Sequence, residues 1–584
     1  MSKKPYYALE MFPYPSGANL HMGHFFNFAP ADTHARFKRM CGYDVFHPMG
    51  YDSFGLPTEN FALKSGGHPM DITAENIKAF RSQLDQLGGM YDWESTVTTS
   101  DVSYYKWTQW LFIELFKAGL AYRGKKPVNW CDGCQTIIAN EQVVEEKCER
   151  CSTKVEERDV DQWFFKITDF KQALIDGLDK VDFPSGTKMM QRNWIAELRD
   201  WSVSRQRYWG APIPIIYCDK CGMVADENLP VVLPRIDDFK PKGAPPLANA
   251  PDFVNTTCPK CKGAATRETE TMDTFVCSSW YFLRYPFATN KDADKLPFDN
   301  SVRPVDVYVG GAEHACGHLI YARFITKVLH KLGYIDFDEP FKRLIHQGMI
   351  LAPDGQKMSK SKGNTISPDK YIAEFGSDIV RLYMLFGFSY VEGGPWDDGA
   401  LKAMVKFVQR VDRLVRRTND NTPDVVNDET CREILHKRAK TIKAVREDLD
   451  GFSFNTAVAR CMEFTNALYS SKVLSKASVV DLVLMMAPMV PATAQQWWKV
   501  LAQSGDIFDQ PFPTFQEEYL EKFEVEIAVQ VNSKIKDRIV VPTNATQEQI
   551  EEIAKEKIGN DKVKKVIYVA GKLINFILWP LPPI

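Results

Sequence analysis

Apolar residues fall along the chain in two rhythms that divide it. Near the start, Tyr6-Tyr7-Ala8-Leu9-Glu10-Met11 reads as a strand. The turn-forming run Phe12-Pro13-Tyr14-Pro15-Ser16-Gly17 breaks it, and a helix opens at His21-Met22-Gly23-His24. Asp44-Val45-Phe46-His47-Pro48-Met49 gives a second strand. Strand, glycine turn, helix and strand in that order make half of a doubly wound parallel sheet. Val305 to Gly311 reads as a further buried strand with a glycine turn, followed by a helix over Ala315 to Leu332, so the other half arrives late in the chain. Ser377 to Leu385 begins a helical region, in which Leu401, Met404, Val405, Val408, Val411 and Val415 form an apolar stripe. Val479 to Val490, interrupted by Asp481 and Pro488, reads as a core helix. After the linker Gln510-Pro511-Phe512-Pro513 the period changes to two. Val525, Ile527, Val529 and Val531 alternate as a strand, with a second near Ile539 to Val541. Thr546 can cap a helix through Ile550 and Ile553, and Lys564 to Val569 and Leu573 to Leu578 complete a small ββαββ module.

Composition changes this picture little. The 584 residues, 45% hydrophobic and 25% charged with a net charge of -3, suit a protein of several domains with large cores. The absence of a basic excess does not exclude a nucleic-acid partner, because local patches matter more than the total. Lys402, Lys406, Arg410, Arg413, Arg416 and Arg417 cover much of one helix, and Lys534, Lys536, Arg538, Lys562, Lys564, Lys565 and Lys572 make the terminal module basic. Each set reads either as a solvated face or as a contact for an RNA backbone. The first residues, Met1-Ser2-Lys3-Lys4-Pro5, lead into a strand without a secretory pattern, and no run of 18 apolar residues occurs. A cytoplasmic protein without a membrane span is expected.

Cysteine usage adds chemistry. Eight of the 13 cysteines form four C-x-x-C pairs: Cys131/Cys134, Cys148/Cys151, Cys218/Cys221 and Cys258/Cys261. Thirteen residues separate the first two pairs and thirty-six the second two. Sequential grouping gives two closed four-thiolate knuckles that suit structural zinc, with cross-pairing between them still open. Cys41, Cys277, Cys316, Cys431 and Cys461 read as buried small hydrophobes.

Two short runs point to phosphate chemistry. His21-Met22-Gly23-His24 places two imidazoles where backbone N–H groups and the helix dipole favour phosphate, and Gly23 leaves room for an adenine ring. Lys357-Met358-Ser359-Lys360-Ser361, between Gly355 and Gly363, offers lysines and hydroxyls that can close over a triphosphate and neutralise charge as pyrophosphate leaves. Found together in this order, the two specify activation of an amino acid by ATP.

These runs are accompanied by Gly50-Tyr51-Asp52-Ser53-Phe54-Gly55-Leu56-Pro57, Gln162-Trp163-Phe164-Phe165, Ser204-Arg205-Gln206-Arg207-Tyr208-Trp209-Gly210, Asp273-Thr274-Phe275 through Ser278-Ser279-Trp280-Tyr281, and Val529-Gln530-Val531-Asn532 to Asn575. Over most of its length the chain therefore resembles the class I aminoacyl-tRNA synthetases, specifically the leucyl-tRNA synthetases of the bacterial type. The resemblance implies an α/β fold: a Rossmann-like catalytic domain in two halves (1–123 and 265–390) split by a zinc-knuckle insertion (124–264). A helical anticodon-binding-type domain (391–515) and a small α+β tRNA-contacting domain (523–584) would follow. It implies ATP with magnesium, L-leucine and tRNA(Leu) as substrates and partners, and a monomer.

Residue by residue, the family pattern puts Met11, Phe12 and Tyr14 beside the amino acid and Asp52 on its ammonium group. Phe275, Ser278, Tyr281 and His314 would shape the side-chain pocket. Gly310, Gly311, Glu313, Gln347, Met349 and Ile350 would hold adenosine, with His318 behind that wall. His21, His24, Lys357 and Lys360 would stabilise the transferring phosphate, with Gly23 and Ser359 beside it. The chain departs from the family between Trp194-Ile195 and Asp200-Trp201, where only Ala196-Glu197-Leu198-Arg199 stand in place of a large editing domain. The leucine-specific insertion before the lysine loop is also missing. Tyr51 stands where tryptophan is common and Cys277 where aspartate is common. A methionyl-type synthetase, which also lacks an editing domain and carries zinc knuckles, and a synthetase-like paralogue that charges no tRNA are the alternative readings.

Overall fold

The computed structural model describes residues 3–17, 19–138, 143–149, 151–240, 244–289, 298–299, 301–356, 358, 364–419, 423–428, 431–521, 524–559 and 563–578. Lys357, Ser359, Lys360, Ser361 and Lys562 lie outside them.

Four parallel strands build the catalytic sheet, in the order Phe341–Gln347, Val305–Gly311, Lys4–Glu10, Tyr43–Phe46. Ala8 lies opposite Val307 on one side, and Tyr7 opposite Phe46 on the other. Val305, Val307, Tyr308 and Val309 are all buried, as a parallel strand covered on both faces requires. Because the chain leaves the first strand in one direction and returns on its other side 300 residues later, a crevice opens at the carboxyl ends of Lys4–Glu10 and Val305–Gly311. The helix Met22–Met40 starts at this crevice and is buried along nearly its whole length.

Two four-stranded sheets dominate the insertion. One joins Thr136–Ile138, Ala121–Cys131, Val155–Phe165 and Trp201–Ser202; the other joins Gly222–Ala225, Ile215–Cys218, Ala264–Arg267 and Asn255–Thr257. Between them the helix Ser185–Ala196 passes to Trp201 through four residues, and Trp201 stacks on Tyr321 with ring centroids 3.8 Å apart. One continuous apolar core runs from Tyr7 to Phe512, and the terminal ββαββ module has its own, built on Ile527, Val529, Ile539, Val541, Ile550, Ala554, Ile574 and Phe576. Among the described residues no helix is long and apolar enough to cross a membrane.

Several expectations need correction. The helix expected from Ala315 begins at His318, because Ala312–His314 forms a tight 3₁₀ turn first. The strand expected to reach Met49 stops at Phe46, short of Pro48, which has no N–H to continue a ladder. The apolar stretch Val479 to Val490 is divided between helices Lys476–Met486 and Pro491–Val500, with Pro488 in the break. Cys41 and Cys316 are only half-buried and Cys431 is exposed, so of the five lone cysteines only Cys277 and Cys461 are buried.

The terminal helix Gln547–Ile558 carries the expected cap as a full capping box: Thr546 Oγ1 accepts from Gln549 N and Gln549 reaches back to Thr546 N. On helix Asp398–Arg417, Arg410 donates to Asn466 at 2.8 Å, Arg416 pairs with Asp412 at 2.8 Å and Arg417 pairs with Asp424, while Lys402, Lys406 and Arg413 project from the surface.

Candidate active site

The crevice is shaped by two glycines and a methionine. Met11 N donates to Val309 O at 2.9 Å, bringing the end of the first strand alongside Gly310. A Cβ on Gly310 would lie 2.3 Å from Met11 Sδ, and one on Gly311 would lie 2.1 Å from a Glu313 carboxylate oxygen. A side chain at either position would have to push Met11 or Glu313 aside, so the two glycines let both close on the strand end.

At the helix N-terminus His21 is the N-cap. Its Nδ1 accepts from Gly23 N at 3.1 Å, and His24 Nδ1 accepts from His21 N at 3.2 Å, forming a capping box made of two imidazoles. The rings lie 3.9 Å apart. Backbone N–H groups only donate, so in the neutral rings the proton sits on Nε2 of each. Two Nε2–H donors thus stand beside the positive end of a 19-residue helix, a ready arrangement for an anion.

Asp52 lies beneath, fully buried, its own N–H donating to Pro13 O at 3.0 Å. Thr99 Oγ1 donates to Oδ1 at 3.2 Å, while Oδ2 lacks a well-formed hydrogen bond. Burial pushes this carboxyl well above the usual carboxylate range; the nearby hydroxyls of Thr99, Ser278 and Tyr14 oppose the shift and Asp273 adds to it. A cation reaching Oδ2 would relieve that strain. Beside it Phe12 stacks on Tyr281 at 3.9 Å, Tyr281 Oη meets Tyr308 Oη at 2.6 Å, and Tyr308 Oη meets His318 Nε2 at 2.8 Å. Burial and His314 hold His318 near a pKa of about 3, so it stays neutral within this chain. Phe275 is half-buried 5.8 Å from Tyr321, Ser278 is buried, and His314 is half-buried 6.4 Å from His318, with burial lowering its pKa too. Gln347 pairs with Gly311 across the sheet, its Oε1 buried without a hydrogen-bond partner. Met349 is 42% exposed and Ile350 is buried, forming a rim and floor next to it.

Of the lysine run only Met358 is described, half-buried against the main core. Beyond it Met22 N donates to Ile366 O at 3.1 Å, which ties the far end of the loop to the start of the histidine helix.

The cysteines group as their order suggested, with no cross-pairing. The Sγ atoms of Cys131, Cys134, Cys148 and Cys151 lie within 4.8 Å of one another, as do those of Cys218, Cys221, Cys258 and Cys261. Separations of 3.3 Å (Cys131 to Cys151), 4.0 Å (Cys134 to Cys148) and 3.5 Å (Cys218 to Cys261) bracket the about 3.8 Å of a tetrahedral ion with metal–sulfur bonds of about 2.3 Å. All four ligand positions would be filled in each.

Two buried networks escaped sequence reasoning. Glu10 Oε2 meets His47 Nε2 at 2.7 Å; burial pushes that imidazole down, but the Glu10 carboxylate outweighs it and the pKa is raised. Asp32 accepts from Arg36 at 2.8 Å and Arg381 at 2.6 Å, and the two guanidiniums, against burial, hold its carboxyl far below the ordinary range. The only sequence signal was the i, i+4 spacing of Asp32 and Arg36 on one helix.

Sequence comparison fits this geometry. The model described as "tRNA synthetases class I (I, L, M and V)" matches residues 1–394, and "Anticodon-binding domain of tRNA ligase" matches residues 431–552. The leucine-tRNA ligase of Clostridium botulinum (strain Hall) is 40% identical over 783 positions, covering 98% of this chain and 96% of the relative. That of Caldanaerobacter subterraneus subsp. tengcongensis is 39% identical over 789 positions with the same coverage. Agrobacterium radiobacter K84 agnB2 LeuRS, solved as a ternary complex with tRNA and LeuAMS, superposes with a TM-score of 0.87 at 31% identity, covering 99% of this chain and 96% of that one. Methionyl-tRNA synthetase of Mycobacterium tuberculosis shares the fold, with a TM-score of 0.65 at 18% identity over 86% of this chain and 95% of that one.

The fold and these matches are those of a class I tRNA synthetase. Within that class the chain belongs to the leucine-tRNA ligase family. The alignment of 783 positions exceeds the chain's 584 residues by 199, and the passage from Trp194 to Trp201 has no room for an editing domain.

Proposed function

We propose that the chain activates L-leucine with ATP to leucyl-adenylate and transfers the leucyl group to tRNA(Leu), releasing AMP and pyrophosphate, with both steps in the crevice between Met11 and Gly310. The observation that carries this reading is the pair of Nε2 donors of His21 and His24 at a helix start, with the buried, only partly hydrogen-bonded Asp52 carboxyl and the glycine-lined strand end, in a chain 40% identical to leucine-tRNA ligases. Asp52 receives the leucine ammonium group. Met11, Phe12, Tyr14, Phe275, Ser278, Tyr281 and His314 enclose the leucine, and Gly310, Gly311, Glu313, Gln347, Met349 and Ile350 border adenosine. His21 and His24, with Gly23 between them, donate to the triphosphate, and Lys357, Ser359 and Lys360 close over it. The leucine carboxylate attacks the α-phosphorus and pyrophosphate leaves; a terminal ribose hydroxyl of tRNA then attacks the carbonyl and AMP leaves. No protein nucleophile enters, so catalysis rests on orientation and charge stabilisation. Magnesium, bound with ATP, would supply further charge neutralisation. The family resemblance supports a cytoplasmic monomer, in which helix Asp398–Arg417 and the basic terminal module meet tRNA.

Pyrophosphate exchange into ATP with leucine, methionine, isoleucine, valine and norvaline, with and without tRNA, tests the reading. Strong leucine-dependent exchange supports it; a methionine preference or no exchange overturns it. An apolar pocket separates side chains differing by one methylene only ~10- to 200-fold. Without an editing domain the chain is expected to yield detectable and persistent mischarged tRNA with near-isosteres. Rejection of all four competitors by many thousandfold in the purified protein would refute that.

The two cysteine tetrads fit zinc, tetrahedral and thiolate-bound, as structural ions with no open position. Elemental analysis is expected to find two zinc ions per chain. Cys148→Ser should keep one and lower the melting temperature; two retained ions would refute the grouping.

A further inference from the structure

The helix Ser185–Ala196 lies behind the segment that runs from Gly310 to Ala315 and grips both of its ends. At one end Thr187 Oγ1 is 2.7 Å from His346 Nε2, and His346 Nδ1 is 2.9 Å from Gly310 O. A carbonyl oxygen only accepts, so Nδ1 carries the ring proton, and Nε2 of the neutral ring accepts from the Thr187 hydroxyl. His346 and Thr187 are both buried, which leaves this relay without competing solvent. At the other end Gln191, one helical turn on and fully buried, donates from Nε2 to Ala315 O at 2.7 Å. Gln191 Oε1 accepts from Arg323 Nη1 at 2.9 Å, and Arg323 is fixed in turn by two 2.8 Å contacts to Glu339 and by donating to Leu174 O at 2.6 Å.

Thr187 and Gln191 are four residues apart and so share one face of the helix. The segment between their two grips is a single 3₁₀ turn, Ala312–His314, with Ala312 and Glu313 exposed. The run from Gly310 to Ala315 carries four of the side chains or backbone sites assigned above to ATP and leucine: Gly310, Gly311, Glu313 and His314. We infer that Thr187, acting through His346, and Gln191 are positioning residues that set this segment for ATP. The same helix then enters the four-residue passage to Trp201, whose ring is stacked on Tyr321, so the brace is tethered at its far end as well.

This inference rests on the reading that Gly310 to Glu313 border ATP, and the test separates the two. Thr187→Val keeps the branched shape and removes the hydroxyl, Thr187→Ser restores it, and Gln191→Leu removes the grip at Ala315. Pyrophosphate exchange is measured for each with ATP and leucine varied separately, alongside melting temperature and leucine binding without ATP. Thr187→Val and Gln191→Leu are expected to worsen kcat/KM for ATP by about ten- to a hundredfold with leucine binding little changed, and Thr187→Ser is expected to recover most of the loss. Wild-type ATP parameters in Thr187→Val and Gln191→Leu would overturn the inference. Equal losses for ATP and leucine that Thr187→Ser fails to rescue would overturn it too, since that is the pattern of general unfolding. Glu313→Ala is measured in parallel. If it raises KM for ATP while the Thr187 and Gln191 variants do not, the brace is refuted and the ATP reading stands; if it leaves ATP use unaltered, the ATP reading itself fails.

Discussion

Asp52→Asn is expected to lower kcat/KM for leucine activation by about 10²- to 10⁴-fold while leaving the fold intact, because removing one partner of a buried ion pair costs about 3–5 kcal/mol. In the free protein the Asp52 carboxylate is buried with Oδ2 lacking a well-formed hydrogen bond, so its ionised form is poorly compensated. An arriving ammonium group turns that liability into a pair, and asparagine, of the same shape and without charge, cannot. The pH dependence has a definite sign. Burial raises the folded pKa above the ordinary 3.8, so the contribution of Asp52 to stability is full below the unfolded value and is lost as pH rises through the folded one. Asp52→Asn should therefore melt at or above the wild-type temperature near neutral pH. Leucine binding has the opposite trend: its affinity should fall by about tenfold per pH unit once pH drops below the raised pKa, where the carboxyl must first lose its proton. Calorimetric titration of leucine across pH checks this in both proteins. A wild-type kcat/KM in the variant, or an equally steep pH profile in both, would remove Asp52 from the ammonium site.

Lys360→Ala is expected to reduce turnover by about 10²- to 10³-fold with leucine binding little changed, the behaviour of a group that meets charge developing in the transition state. The geometry around the loop supports the role. Its far end is tied to the start of the histidine helix through Met22 N and Ile366 O, and Gln83 Nε2 anchors the next turn by donating to Asp369 at 2.9 Å. The described end of the loop therefore begins beside the start of the histidine helix. Single-turnover adenylate formation, compared with leucine binding at equilibrium, separates the possibilities. Equal losses in both would assign Lys360 to substrate binding instead.

Much of the architecture was written in local patterns. The apolar run ending at Leu9, the His-x-Gly-His helix start and the strand before Gly310-Gly311 were legible because each follows from backbone geometry within a few residues. The same holds for the Thr546 capping box and the two-residue alternation of the terminal module. The C-x-x-C spacing likewise announced turns that could hold a metal ion before any pairing was known. Local pattern failed where a few residues compete, as at Ala312–His314, where a 3₁₀ turn displaced the first helical turn, and at Pro488, which split one apolar stretch between two helices.

Contacts between distant segments carried the rest. Sequence left two groupings of the cysteines open, and folding of the hairpins chose the sequential one by bringing four Sγ atoms within 4.8 Å in each set. It gave no sign that Cys431 faces solvent. Nor did it show that Glu10 meets His47 and Asp32 meets Arg381, or that Thr187, His346 and Gly310 form one relay across more than 150 residues of chain. The Asp52 motif was visible, but the raised pKa of its carboxyl was not. The reason is physical: helix, strand and cap propensities depend on neighbours a few residues away, whereas burial of a charge and the partner it finds depend on which surfaces the whole chain brings together.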